Sequence, residues 1–109
     1  MRTSVQDEPN TLRGYETIFI LRPNATHDGI ALVNTRVRGA IEQQAGKVIE
    51  LTNWGKRKLG YEIKKELKGI YLFWKYLGTP GIVKEIERTL SLQDSVIRYY
   101  TIKVDENLN

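Results

Sequence analysis

The chain has 109 residues, no cysteine, one histidine (His27) and 17 basic against 13 acidic residues, for a net charge of +4. That length suits one domain with one core, and the composition excludes disulfides and thiolate metal sites and leaves a histidine-based site dependent on carboxylates. No apolar run approaches the roughly 20 residues of a membrane helix, and the start lacks a signal-peptide pattern, so the expected compartment is the cytoplasm.

Met1 to Leu12 offers little to bury and reads as a flexible N-terminal arm. Tyr15 to Leu21 is apolar and β-rich, and Pro23-Asn24 ends that strand. Thr26 or Asp28 can cap a helix whose apolar residues fall at Ile30, Val33, Val37 and Ile41. Gly46 then suits a left-handed helix stop. Lys47 to Lys58 is a second strand and Gly60 to Tyr76 a third, joined either by a turn near Arg57 to Gly60 or by a longer hairpin. Gly78-Thr79-Pro80 breaks the third strand and starts a second helix, with Thr79 as cap and Pro80 at the first helical position. Ile82, Val83, Ile86 and Leu90 form its buried stripe, and Lys84, Glu85, Glu87 and Arg88 face water. Val96 to Val104 is the last strand, followed by a short tail over residues 105–109.

The order β-α-β-β-α-β predicts an α+β, ferredoxin-like domain over residues 13–104: two helices on one face of a four-stranded antiparallel sheet. The open face of such a sheet is polar if it meets only water. Here both faces carry apolar residues: Phe19 and Leu21 against Ile18 and Ile20, then Tyr71 and Phe73 against Ile70, Leu72 and Trp74. Tyr71 and Phe73 are read as core beneath the helices. Ile18, Ile20, Leu72, Trp74 and Tyr100 are then turned to the open face, where a partner surface is expected to cover them.

Charge is concentrated in one stretch. Lys56 to Lys68 holds six basic and two acidic residues, a net +4 that equals the excess of the whole chain. A local basic patch on a balanced domain points to a polyanion, most often nucleic acid. For Lys56, Arg57 and Lys58 the competing reading is a solvated strand end that discourages edge pairing. Trp54 either stacks on a base or lies buried at the sheet margin. Arg98 sits among apolar neighbours on the last strand. Lys64, Lys65 and Lys68 alternate with Glu62 and Glu66, which favours self-compensation, with Lys65 the best of them as an RNA contact.

Three motifs carry a family resemblance: Arg13-Gly-Tyr15-Glu16-Thr-Ile-Phe-Ile-Leu-Arg-Pro23, Trp54-Gly-Lys-Arg-Lys-Leu-Gly-Tyr61-Glu-Ile63, and Asp94-Ser-Val-Ile-Arg98. In this order they resemble the bacterial small-subunit ribosomal protein six (S-six) family, over about Arg13 to Val104. The resemblance implies a ferredoxin-like, non-enzymatic structural protein of the small ribosomal subunit, without cofactors. It implies contact with the central domain of small-subunit rRNA and pairing with the eighteenth protein of the same subunit. The RNA contacts it suggests are Arg13, Trp54, Lys56, Arg57, Lys58, Lys65 and Arg98. Gly14 stands where the family often has a second basic residue, Glu62 replaces a proline, and the arm before Arg13 is longer than the family's usual start.

Two other readings compete. Lys68-Gly69-Ile70-Tyr71-Leu72-Phe73 begins like the stacking motif of single-stranded-RNA-binding domains of the RNA-recognition-motif type, which share this element order, but the match is poor. That reading requires Tyr71 and Phe73 on the open face. Thr26-His27-Asp28 places a base beside a carboxylate and a hydroxyl, yet at a helix start these residue types cap the backbone.

Overall fold

The computed structural model describes residues 12–104. The expected arm, apart from Leu12, and the tail over 105–109 lie outside the described residues. The elements are β1 (Arg13–Leu21), α1 (His27–Gln43), β2 (Lys47–Ile63), β3 (Glu66–Gly78), α2 (Ile82–Ser91) and β4 (Val96–Val104). The strands form one antiparallel sheet in the order β2-β3-β1-β4. The ferredoxin-like arrangement read from the sequence is therefore the one observed.

Alternation along β1 sends Tyr15, Thr17, Phe19 and Leu21 beneath the helices, where they meet Val33, Val37 and Ile41 of α1 and Ile82, Ile86 and Leu90 of α2. Residues directly opposite one another in a ladder share a face. Phe19 lies opposite Leu72 and Tyr99, and Thr17 opposite Trp74 and Thr101. Leu72 and Trp74 are thus wholly buried core residues, contrary to the expectation that they line a partner interface. Tyr71 and Phe73, expected in the core, are half-buried on the open face. The register decides this: β3 must match the buried set of β1, and only Leu72 and Trp74 do. The indole ring also has a polar atom to satisfy, and Trp74 Nε1 donates to Asn34 Oδ1 at 3.3 Å across the sheet–helix layer.

Among the described residues, Thr17 is the buried polar residue of this core. Thr17 Oγ1 shares hydrogen bonds with Tyr76 Oη at 2.8 Å and Thr101 Oγ1 at 2.7 Å, tying β1 to both of its neighbours. Burial raises the Tyr76 pKa above its ordinary 10.0, partly offset by hydrogen bonds from Thr17 and Thr101.

The helix ends follow local chemistry with two corrections. Thr26 caps α1 as expected, its Oγ1 accepting from the Gly29 N–H at 3.0 Å. At the other end Gly46 N–H donates to Ile41 O at 2.8 Å and Ala45 N–H to Glu42 O at 3.0 Å, the paired bonds of a Schellman stop. The left-handed residue there is Ala45, at φ 59°, not Gly46. Gly46 is needed for space instead, because a Cβ would lie 2.6 Å from Ile82 Cδ1 and 2.7 Å from the Leu77 carbonyl oxygen. The second helix begins at Ile82, later than expected. Thr79 O accepts from the Ile82 N–H at 3.0 Å, so Pro80 occupies a turn before the helix and Thr79 does not cap it.

The hairpin is the longer of the two alternatives. Its tip is Lys64-Lys65, with φ of 48° and 68°, the left-handed pair that a two-residue type I′ loop requires. Since β1 stops pairing at Leu21 opposite Ile70, Glu66 to Gly69 pair with β2 alone. The end of the hairpin is therefore a two-stranded ribbon projecting past the sheet.

Candidate nucleic-acid interface

The ribbon carries the charge excess, but a strand cannot present three consecutive side chains on one face. Lys56 lies opposite Ile70 and Lys58 opposite Lys68, which places Lys56, Lys58 and Lys68 on the helix side. Arg57 lies opposite Gly69 and faces the open side. The run Lys56, Arg57 and Lys58 is thus divided between two surfaces and is not one patch. All four cations are exposed.

On the open side the bulge between Asn53 and Gly55 sets up an aromatic stack. Asn53 Oδ1 accepts from the Gly55 N–H at 2.7 Å, and Gly55 takes a φ of 85°. This turns Trp54 across Phe73, with ring centroids 5.2 Å apart and planes 10° from parallel. The Arg57 guanidinium lies 5.5 Å from the Trp54 ring centroid and 5.9 Å from that of Tyr71. The indole is supported by Phe73, and 37% of the residue stays exposed. Tyr71 and Phe73 face the side that single-stranded-RNA binding requires, but Trp54 stacks on one and Arg57 sits over the other.

A second open-side cluster forms where β2 bulges again. Between the Lys58–Lys68 and Ile63–Glu66 pairs, four residues of β2 face one residue of β3. The slack brings Leu59 onto Ile20 and Ile97 in a small buried cluster of its own. Glu62 lies in this slack without a partner in the strand register. Tyr61 reaches Arg98, whose Nη1 donates to the phenol oxygen at 2.6 Å while the guanidinium lies 5.8 Å from the ring centroid. Leu59, Tyr61, Ile63, Tyr71 and Tyr100 surround a cavity of about 250 Å³ with Arg98 at its wall.

The other sequence-predicted residues are dispersed. Arg13 lies opposite Gly78, and nine residues of β3 separate that position from Gly69 opposite Arg57, a span of roughly 30 Å at strand rise. Lys65 is at the hairpin tip. Ile18 is half-buried and Tyr100 exposed on the open face, whereas Ile20 is already covered by Leu59 and Ile97. His27 is exposed in the first turn of α1, behind the Thr26 cap, and no metal-binding group of side chains occurs among the described residues. Sequence reasoning passed over Tyr61 as a site residue and weighed Phe73 only in the single-stranded-RNA reading. The available signal for Tyr61 was an aromatic within the basic run Lys56 to Lys68.

The family model described as ribosomal protein S6 matches residues 14–103. The small ribosomal subunit protein bS6 of Moorella thermoacetica is 34% identical over 95 residues, covering 87% of this chain and 97% of that one. Its counterpart in Heliobacterium modesticaldum is 33% identical, covering 87% and 99%. The crystal structure of 30S ribosomal protein S6 from Thermotoga maritima superposes with a TM-score of 0.79 at 29% identity, covering 86% of this chain and 89% of that one. The matched span takes in every strand and both helices, from the mouth of β1 to the end of β4, and with it the chain belongs to the ribosomal protein S6 family.

Proposed function

We propose that this protein binds the central domain of small-subunit rRNA together with the eighteenth protein of the same subunit. Its family makes it a structural protein of the small ribosomal subunit, bound to the ribosome in the cytoplasm and not an enzyme. The observation that carries the RNA reading is the projecting ribbon, with cations on both of its faces and Arg57 held over exposed aromatics.

Lys56, Lys58 and Lys65 act as point charges on phosphates, and Arg57 can grip one with its planar fork. Such contacts release counterions, so affinity falls with salt and discriminates little between sequences. Trp54 and Arg98 stand at the rim of the open face, where a base or ribose can be held against them, and Arg13 is a separate phosphate contact at the far end of the sheet. The partner protein covers the open face through Ile18 and Tyr100, with Ile20 as the floor beneath. Leu72 and Trp74 take no part. Binding of the pair gains from effective concentration, each member presenting part of the RNA surface.

Changing Lys56, Arg57 and Lys58 together to Ala leaves the fold intact, weakens binding to an rRNA fragment plus the partner, and flattens its salt dependence. Unchanged binding by the triple variant rejects the assignment of the ribbon. The single-stranded-RNA alternative is favoured by the open-face position of Tyr71 and Phe73. It predicts that short unstructured oligonucleotides bind without a protein partner, whereas the ribosomal reading predicts that they do not.

A further inference from the structure

The ribbon's helix side has a composition unlike that of its open side. The open side holds Trp54, Tyr61 and Tyr71, with both Arg57 and Arg98 already resting on aromatic rings. The helix side holds Lys56, Lys58 and Lys68, all exposed. None of the three has an ion pair: the side-chain ion pairs among the described residues join Arg22 to Glu66 and Arg88 to Glu85. Lys58 and Lys68 are directly opposed across the ladder, and Lys56 is one repeat further along the same face. Cβ atoms of opposed residues are about 5 Å apart, and same-face neighbours on one strand about 7 Å apart.

Like charges set directly opposite one another are unfavourable in the free protein. No ion pair among the described residues relieves them, and Glu66, the nearest acidic residue along β3, is engaged with Arg22 at 3.2 Å. Negative charge supplied from outside turns this unfavourable arrangement into a favourable one. Lysine without aromatics also fits a ligand that offers charge and no stacking surface, which describes a phosphodiester backbone.

We propose that Lys56, Lys58 and Lys68 form a phosphate-binding face of their own, so that RNA backbone engages the ribbon from the side opposite Arg57. The proposal rests on the rRNA-binding reading and divides it: two separate strips of RNA contact replace one basic patch. It also makes the lysine face independent of the protein partner, which takes the open side.

The test measures binding of a central-domain rRNA fragment, in the presence of the partner protein, by wild type, K56Q/K58Q/K68Q, R57Q and the combined variant across a salt series, with partner affinity measured separately. The lysine variant should make the slope of log K against log salt shallower by about 2 to 3, and R57Q by less than about 1. On separate surfaces the two losses should multiply to within about twofold in the combined variant. Partner affinity should be unchanged by the lysine changes. If wild type binds but the lysine variant keeps the full slope, or the combined variant is no weaker than the worse parent, the second face does not exist. If wild type itself does not bind the fragment, the rRNA reading falls and the proposal with it.

Discussion

Replacing Lys68 with Glu should stabilise the free protein while weakening its hold on RNA. Lys58 and Lys68 face each other across the ribbon, and flexible stems let the two ammonium groups splay to roughly 7 Å. At that distance in water the repulsion is about 0.6 kcal/mol before screening. Reversing one charge turns repulsion into attraction, a change of roughly 1 kcal/mol at about 0.01 M salt, 0.6 at 0.1 M and below 0.2 at 1 M. For a domain of this size the low-salt gain corresponds to a rise in Tm of about 4 °C. Urea denaturation at the three salt concentrations measures it, with the m-value held constant as the check that only stability changed. A stabilisation that persists undiminished at 1 M salt, or a loss of stability at low salt, refutes the opposed-lysine geometry. RNA affinity should move the other way in the same variant. That opposition of sign is the signature of charges placed for a ligand and not for the fold.

Other outcomes follow from the core and the turns. Thr17→Val removes the hydroxyl between Tyr76 and Thr101 and should cost about 1–3 kcal/mol in denaturation. A cost below about 0.5 kcal/mol would show that those hydroxyls find other partners. Tyr76 keeps its proton in the folded state beyond the ordinary 10.0, chiefly through burial. Its contribution is therefore complete below pH 10 and is lost as pH rises through the folded-state value. Tyr76→Phe should flatten the alkaline limb of a stability–pH profile. Ala45→Gly should raise stability by about 0.5–1 kcal/mol, because Ala45 holds a φ of 59° that costs an alanine but not a glycine. An unchanged urea midpoint would show that the helix stop carries no strain.

Patterns with a contrast were legible in the sequence. The N-cap and apolar stripe of α1, the stripe of α2 and the limits of β4 all set apolar residues against polar ones at a definite period. The face of β3 was not legible in that way, because Tyr71 and Phe73 are as apolar as Leu72 and Trp74. A period of two says which residues go together but not which set goes inside. That choice came from β1 across the ladder and from Asn34 beneath the indole. The left-handed helix stop was misplaced for a related reason: Gly46 was expected to carry it, whereas Ala45 does so under the pull of the surrounding hydrogen bonds. In the candidate site the charge excess was plain, yet counting it concealed its geometry. The alternation that separates Arg57 from Lys56 and Lys58 was present in the sequence. The slack that brings Tyr61 to Arg98, 37 residues away, belongs to tertiary structure and leaves no local mark.

The central place of β1 sets the order of events during synthesis. It is the first strand made, yet both of its ladder partners, β3 and β4, come later in the chain. At roughly 5–20 residues per second, about 4–17 s pass between the making of Leu21 and of Val104. Through that interval one edge of β1, with Ile18 to Leu21 along it, has no strand to pair with, and the sheet is dominated by contacts distant in sequence, a class that folds comparatively slowly. A nascent chain halted before Val96 lacks Thr101 for Thr17 and Arg98 for Tyr61, so neither the core nor the open face is complete. The last nine residues of the fold therefore complete both the core and the open face.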